Sequence, residues 1–241
     1  MPTMNSVGKC FFCNAEFAKA EITKHLNAHL AKEISNPNRG LSFHIRIEDD
    51  PHYVGLYFLN LWVDGNALMN DIDDFLRAIW LECCGHMSSF SNQKRKKVLT
   101  MLDEEELITN DDEIMESKTK DILVKGMKLK YEYDFGSTTT LLLTVSEQIQ
   151  AEVPGGIILL SRNEPLEIMC EVCKSEPAAV LCTTCYEPNT FCKKCAKKHA
   201  KTCEDFAEYS AMPVVNSPRM GVCAYEGGTI DKKRDGIFVK K

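Results

Sequence analysis

Between Cys170 and Cys203, seven cysteines and one histidine fall into four pairs: Cys170/Cys173, Cys182/Cys185, Cys192/Cys195 and His199/Cys203. A Cys-x2-Cys turn brings two sulfurs to one ion. Donors at i and i+4, such as His199 and Cys203, share one side of a helix. Eight donors of these types fill two tetrahedral zinc sites. Few large apolar side chains accompany them: Val172, Val180, Leu181, Tyr186 and Phe191. A unit this small needs a staple, because chains below about 40 residues seldom fold on an apolar core alone. Structural zinc contributes roughly 10–16 kcal/mol in finger peptides, comparable to the whole stability of an ordinary domain at about 5–15 kcal/mol. The spacing leaves open whether the pairs are used in sequence or interleaved.

A third donor set, Cys10, Cys13, His25 and His29, lies near the N-terminus, with Phe17 and Ile22 at apolar positions between its halves. The expectation is therefore up to three zinc ions. Each set offers four protein ligands, the number of a closed structural site, whereas a catalytic zinc keeps one position for water or substrate. The chemistry expected of these metals is scaffolding. Three cysteines remain. Cys83 and Cys84, at the end of a helical stretch, read as small buried apolar side chains, and Cys223 reads as a free thiol without a role.

The elements that must position these groups follow from periodicity. LSFHIRIE from Leu41 alternates as a half-buried strand does, and VGLYFLNLWV from Val54 is a second strand candidate ending at Asp64-Gly65. Ile72, Phe75, Leu76, Ile79, Trp80 and Cys83 mark one face of a helix over about 71–84, with Asn70 at its start. GHMSSFS reads as a short strand or loop. KLKYEYDF from Lys128 alternates again, turns at Gly136 and pairs with STTTLLLTV. GGIILLSRNEPLE reads as one strand and a linker. These elements predict an α+β core in which an antiparallel sheet packs with helices, flanked by two small zinc-binding modules.

The chain has 241 residues, 44% hydrophobic and 27% charged, with formal charge −6. The charge is uneven. Residues 41–165 hold twelve basic and twenty-two acidic residues, whereas residues 1–40 hold five and three. The centre should repel a phosphate backbone, leaving the ends as the sites for any nucleic-acid contact. The basic run Lys94–Lys97 is followed by acidic stretches at 103–106 and 110–113 that cancel its field, so it reads as a solvated loop. No apolar run is long enough to span a bilayer, and no secretory signal is visible at the start. The expected location is cytoplasmic, where thiols stay reduced and bind metal, with no membrane partner.

Three resemblances add to this reading. The N-terminal set resembles a C2H2 zinc finger, with a Cys13–His25 gap one residue shorter than the usual twelve. That implies a hairpin and a helix over about 18–31, with Ala18, Glu21 and Lys24 at the base-reading positions. Ala and Glu there are poor choices for base contacts, which favours a docking or structural finger. The stretch 170–203 resembles the interleaved two-zinc fingers of the MYND, HIT and B-box kinds, families that mostly bind proteins. The resemblance implies one ion on Cys170, Cys173, Cys192 and Cys195 and another on Cys182, Cys185, His199 and Cys203. Residues 41–150 resemble the plasmid pRiA4b ORF-3-like domain, through His86, Phe90 and the YEYDFG segment with Tyr131, Tyr133, Asp134, Phe135 and Gly136. Ser137, Thr138 and Thr139 stand where that family continues with Asp and Trp. It is a poorly characterised family linked to plasmids and mobile elements.

The resulting organisation is a C2H2-like finger in 1–40, a pRiA4b ORF-3-like domain in 41–165, a cross-braced two-zinc finger in 166–205 and an extended tail in 206–241. The expected function is that of a zinc-binding intracellular interaction or adaptor protein with a protein partner, a reading favoured over an enzyme without excluding one. One alternative is a nucleic-acid-binding regulator acting through its fingers. A second is a phosphodiester-acting enzyme in the central domain, which would use His86 and Asp134, with His44 or Asp64, as acid and base.

Overall fold

A computed structural model describes residues 6–32, 40–50, 55–92 and 111–230. The basic run Lys94–Lys97 and the acidic stretch 103–106 lie outside the described residues. The chain divides into two compact units. One comprises residues 1–75 and 87–164, the other 76–86 and 165–241. The structure thus groups residues differently from the four segments read from sequence. The N-terminal finger shares a unit with the central sheet, and the stretch 76–86 belongs with the C-terminal zinc-finger region.

In the first unit, β1 (Val7–Lys9) and β2 (Glu16–Ala18) form a hairpin that leads into α1 (Lys19–Leu30). A six-stranded antiparallel sheet follows, built from β3 (Leu41–Asp49), β4 (Phe58–Asp64), β5 (Ser88–Asn92), β6 (Lys128–Tyr133), β7 (Thr139–Gln150) and β8 (Ile157–Arg162). Its order is β5-β6-β7-β3-β4-β8. Helix α2 (Met69–Leu76) and two short helices, α3 (Asp111–Glu116) and α4 (Thr119–Ile122), complete the connections. The expected α+β class with an antiparallel sheet is the class observed.

Both faces of the sheet are covered, and the sequence of β4 shows why. Phe58 to Val63 are all buried, so the strand cannot alternate between core and water. On one face, Phe58, Trp62, Ile149 and Leu160 pack against Ile22, Leu26 and Leu30 of α1. On the other, Tyr131 Oη of β6 and Ser88 Oγ of β5 each donate to Asp73 Oδ1 of α2, both at 2.6 Å. The finger helix is therefore part of the core rather than a pendant module. Its hairpin runs along β8, where Phe11 N–H donates to Leu160 O at 2.9 Å. A Cβ on Gly8 would lie 2.6 Å from Arg162 O, so this approach requires glycine.

A buried polar network ties α1 to the sheet. The His44 ring on β3 is clamped between the side-chain amides of Asn27 and Asn60, and Thr23 Oγ1 donates to Asn60 Oδ1 at 3.2 Å. Burial pulls the His44 imidazole down to about 4 from its ordinary 6.5, with the Asn60 hydrogen bond acting in the opposite direction. The folded protein thus holds a neutral ring that the unfolded chain protonates first. This contribution is present above about pH 6.5 and is lost as pH falls towards 4. Between pH 7 and pH 5 the wild type should lose about 2 kcal/mol more unfolding free energy than His44→Gln. Denaturant titration at the two pH values checks this, and equal losses would refute it.

Candidate metal centres

Each donor set read from the sequence converges in space. Within each set, the ligand atoms all lie within 4.8 Å of one another. A tetrahedral ion with metal–sulfur bonds of about 2.3 Å holds its sulfurs about 3.8 Å apart. The separations below match that spacing and are far from the ~2.05 Å of a disulfide. None of the twelve cysteines is disulfide-bonded.

The N-terminal centre gathers Cys10, Cys13, His25 and His29. The hairpin supplies the cysteines. Helix α1 supplies the histidines one turn apart, on the side flanking its buried Ile22-Leu26-Leu30 stripe. Cys13 Sγ lies 3.3 Å from His25 Nε2. Phe17 stacks on His25 at 3.9 Å and Phe12 on His29 at 5.1 Å, fixing both rings. Asn14, just after the second cysteine, adopts φ 58°, and its N–H donates to Cys10 O at 2.8 Å. The same turn recurs at the start of the C-terminal finger, where Lys174 has φ 55° and its N–H donates to Cys170 O at 2.9 Å.

The C-terminal unit resolves the pairing that spacing left open. Cys170, Cys173, Cys192 and Cys195 form one set, and Cys182, Cys185, His199 and Cys203 form another. This is the interleaved arrangement. Cys173 and Cys192 Sγ are 3.9 Å apart, as are Cys185 and Cys203 Sγ. Helix α5 (Lys193–His199) joins the two centres. Its N-cap is Cys192, whose sulfur accepts from Cys195 N–H at 3.5 Å, so this donor sits at the positive end of the helix. At the other end, His199 is stacked against Phe191 at 4.3 Å and edge-on to Phe206 at 4.8 Å.

The thiols of these sets polarise one another. Burial pushes the Cys182 thiol up, but hydrogen bonds from Ser210, Thr184 and His199 bring it down to about 5. Hydrogen bonding to Ser175 brings Cys173 to about 6. Burial and bonding to Cys192 push Cys195 to about 12, and bonding to Cys182 raises Cys185 to about 11. One sulfur in each cluster readily becomes anionic while a neighbour retains its proton. That pattern suits a site in which a cation replaces the shared protons.

The segment from 206, read from its prolines and glycines as extended, begins with a helical turn and then joins a sheet. Phe206–Ser210 forms a π-helical turn, and β11 (Ala211–Pro213) pairs with β9 (Val180–Cys182). β9 also pairs with β10 (Thr190–Phe191), giving the order β10-β9-β11. Backbone pairing with Leu181 and the buried Met212 hold the segment there, which its local composition does not reveal.

The helix expected over 71–84 also ends early. α2 passes into a π-helical turn, Arg77–Leu81, and Glu82 is extended. Cys83 and Cys84 are therefore on a loop. Cys83 is half-buried and Cys84 exposed, so neither is the buried apolar side chain expected. They converge with His86 and Cys223 in a fourth donor set, which the sequence reading missed. The adjacent Cys83-Cys84 and the Gly-His that follows were the available signal. The count expected was three, and the clusters number four among the described residues.

The other candidate residues have local roles. Asp134 has φ 64°, and its carboxylate accepts from Gly136 and Ser137 N–H at 3.0 and 3.2 Å. Asp64 accepts from Asn66 and Val153 N–H at 2.8 and 3.0 Å. His44 is fully buried. His86 belongs to one unit and Asp134 to the other.

No protein-family model matches the chain, and no curated protein matches it. A solved structure of a protein of unknown function from Methanosarcina mazei Go1 is similar over 49% of this chain, at 14% identity and a TM-score of 0.36. The match covers 65% of that protein's length. A likeness at this level fixes neither fold nor function.

Interleaved pairing makes a countable prediction. The double variant Cys173→Ser/Cys195→Ser should lose one bound ion per chain by elemental analysis, because both sulfurs serve one centre. Sequential pairing would instead cost two ions.

Proposed function

We propose that the chain is a zinc-dependent interaction protein whose ions are scaffolding and whose C-terminal finger contacts a protein partner. The observation that carries this reading is the completeness of the donor sets. Each converging set has four protein donors, which leaves a tetrahedral ion no position for water or substrate. Four-donor sets of cysteine, with or without histidine, and sulfur–sulfur separations near 3.9 Å suit zinc. Twelve thiols without a disulfide fit a reducing compartment. No helix among the described residues is long and apolar enough to cross a membrane.

The finger displays large apolar side chains beyond the needs of its own packing. Tyr186 is 93% exposed and Tyr209 66%, with Val172 and Met169 also exposed. Tyrosine is enriched at protein interfaces because it contributes area with little loss of conformational freedom. The pRiA4b ORF-3-like reading of 41–150 belongs to the same proposal. Its support is the position of YEYDFG, with Tyr131 and Tyr133 buried in β6 and Asp134 organising the turn to β7. Acid–base catalysis has less support, since Asp134, Asp64 and His44 are engaged in turns and in the core. So has base reading. α1 buries Ile22, Leu26 and Leu30 and exposes Ala20, Glu21, Lys24 and Ala28, of which Lys24 alone is suited to a base contact.

The test is capture from a cell extract by the zinc-loaded full chain, with Tyr186→Ser/Tyr209→Ser as comparison. The expected outcome is one or more specific proteins retained by the wild type and reduced at least tenfold with the variant, at unchanged zinc content. Equal retention by both, or none by the wild type, would refute the assignment of the partner surface.

A further inference from the structure

The C-terminal unit holds one convergence of soft donors that no spacing motif announces. Cys84 Sγ lies 2.9 Å from His86 Nε2, 3.6 Å from Cys83 Sγ and 3.5 Å from Cys223 Sγ. Cys223 Sγ lies 3.5 Å from His86 Nε2. We propose that Cys83, Cys84, His86 and Cys223 form a fourth metal centre, which takes a zinc-class divalent cation through three thiolates and one imidazole and clasps the segment 217–230 to the end of the π-helical turn.

The loop on one side is built to present three donors. Glu82 stops the helix, and its carboxylate accepts from Gly85 N–H at 2.6 Å. Gly85, at φ 75°, reverses the chain so that Cys84 and His86 meet. On the other side, Val222 N–H donates to Arg219 O at 3.1 Å and Tyr225 N–H to Val222 O at 3.2 Å, a run of turns with Cys223 between them. Cys223 has φ 54°, a conformation a side-chain-bearing residue keeps only where its surroundings hold it. A metal–sulfur bond is such a hold.

Charge supports the same assignment. Three thiolates and one dication leave a net charge of −1. Arg219, fully buried, directs Nη2 at Cys83 Sγ from 3.5 Å. A buried guanidinium needs anionic partners, and metal-bound sulfur provides one. The sulfur–sulfur distances of 3.5 and 3.6 Å fit tetrahedral ligation and exclude a disulfide in this conformation.

The clasp has a mechanical reason. A helix ends with carbonyls that lack partners within the helix. Here the segment 217–230 supplies them. Ser217 Oγ donates to Trp80 O at 2.7 Å, and Thr229 N–H donates to Ala78 O at 2.6 Å. A Cβ on Gly228 would fall 2.3 Å from Ile79 O, so the segment approaches as closely as backbone allows. The ion closes this contact at its solvent edge. It is also the one cluster of the four, among the described residues, with no buried ligand. It should therefore yield its metal first.

The experiment is metal counting on the full chain by native mass spectrometry and elemental analysis. The wild type should carry four zinc ions. Cys223→Ser and Cys84→Ser should each carry three, with unchanged far-ultraviolet circular dichroism. In the zinc-loaded wild type, alkylation should spare Cys84 and Cys223, and a mild chelator should release one ion and expose both. Three ions in the wild type, a Cys84–Cys223 disulfide, or free alkylation of both thiols at full metal load would overturn the proposal. The alkylation result stands even if a variant fails to fold.

Discussion

The C-terminal unit depends on convergence of thiolates and imidazoles from distant parts of the chain. Its central cluster consists of Cys170, Cys182, Cys192 and Cys195 with only Phe191, Ala196 and Phe206 as buried apolar partners. Four of those seven residues are cysteines, so this cluster has little hydrophobic driving force of its own, at roughly 25 cal/mol for each Å² of apolar surface buried. The same unit holds a second small cluster of Ala178, Leu181, Met212 and Val214. Without cations its thiols would sit crowded, with sulfurs 3.9 Å apart and sharing protons. A bound ion turns that liability into bonding worth roughly 10–16 kcal/mol for a structural site.

The first unit uses its donor set differently. α1 is held by Ile22, Leu26 and Leu30 against the sheet and by the His44 network, so the N-terminal centre sits beside a conventional apolar core. There an ion on the four donors would fix the hairpin to the helix, while burial supports the helix itself. A finger whose helix packs on a six-stranded sheet is a structural element, and this explains its ordinary exposed face of alanine, glutamate and lysine.

What could be read in the sequence follows the range of the forces involved. The strands at Leu41 and Lys128 announced themselves by alternation, and the one at Thr139 as the partner that follows the turn at Gly136. Ligand pairs separated by two or three residues were legible because one turn places both donors. The double coverage of the sheet was written in FLNLWV, a run buried throughout, but naming α1 as the cover needed contacts between 22–30 and 149–160. The fourth donor set was hidden for the same reason. Cys223 joins residues 137 to 140 positions away, with no local pattern to mark it. The strand at 211–213 likewise exists only through its pairing with 180–182. Short-range chemistry was visible, and long-range closure was not.

The central claim is that metal ligation holds the stretch 170–203 together. Amide hydrogen exchange on the zinc-loaded chain, before and after complete chelation, tests it most directly. The account predicts that protection in 170–203 collapses when the ions leave, while β3 and β7 of the six-stranded sheet retain theirs. Protection in 170–203 that persists in fully metal-free protein would contradict it.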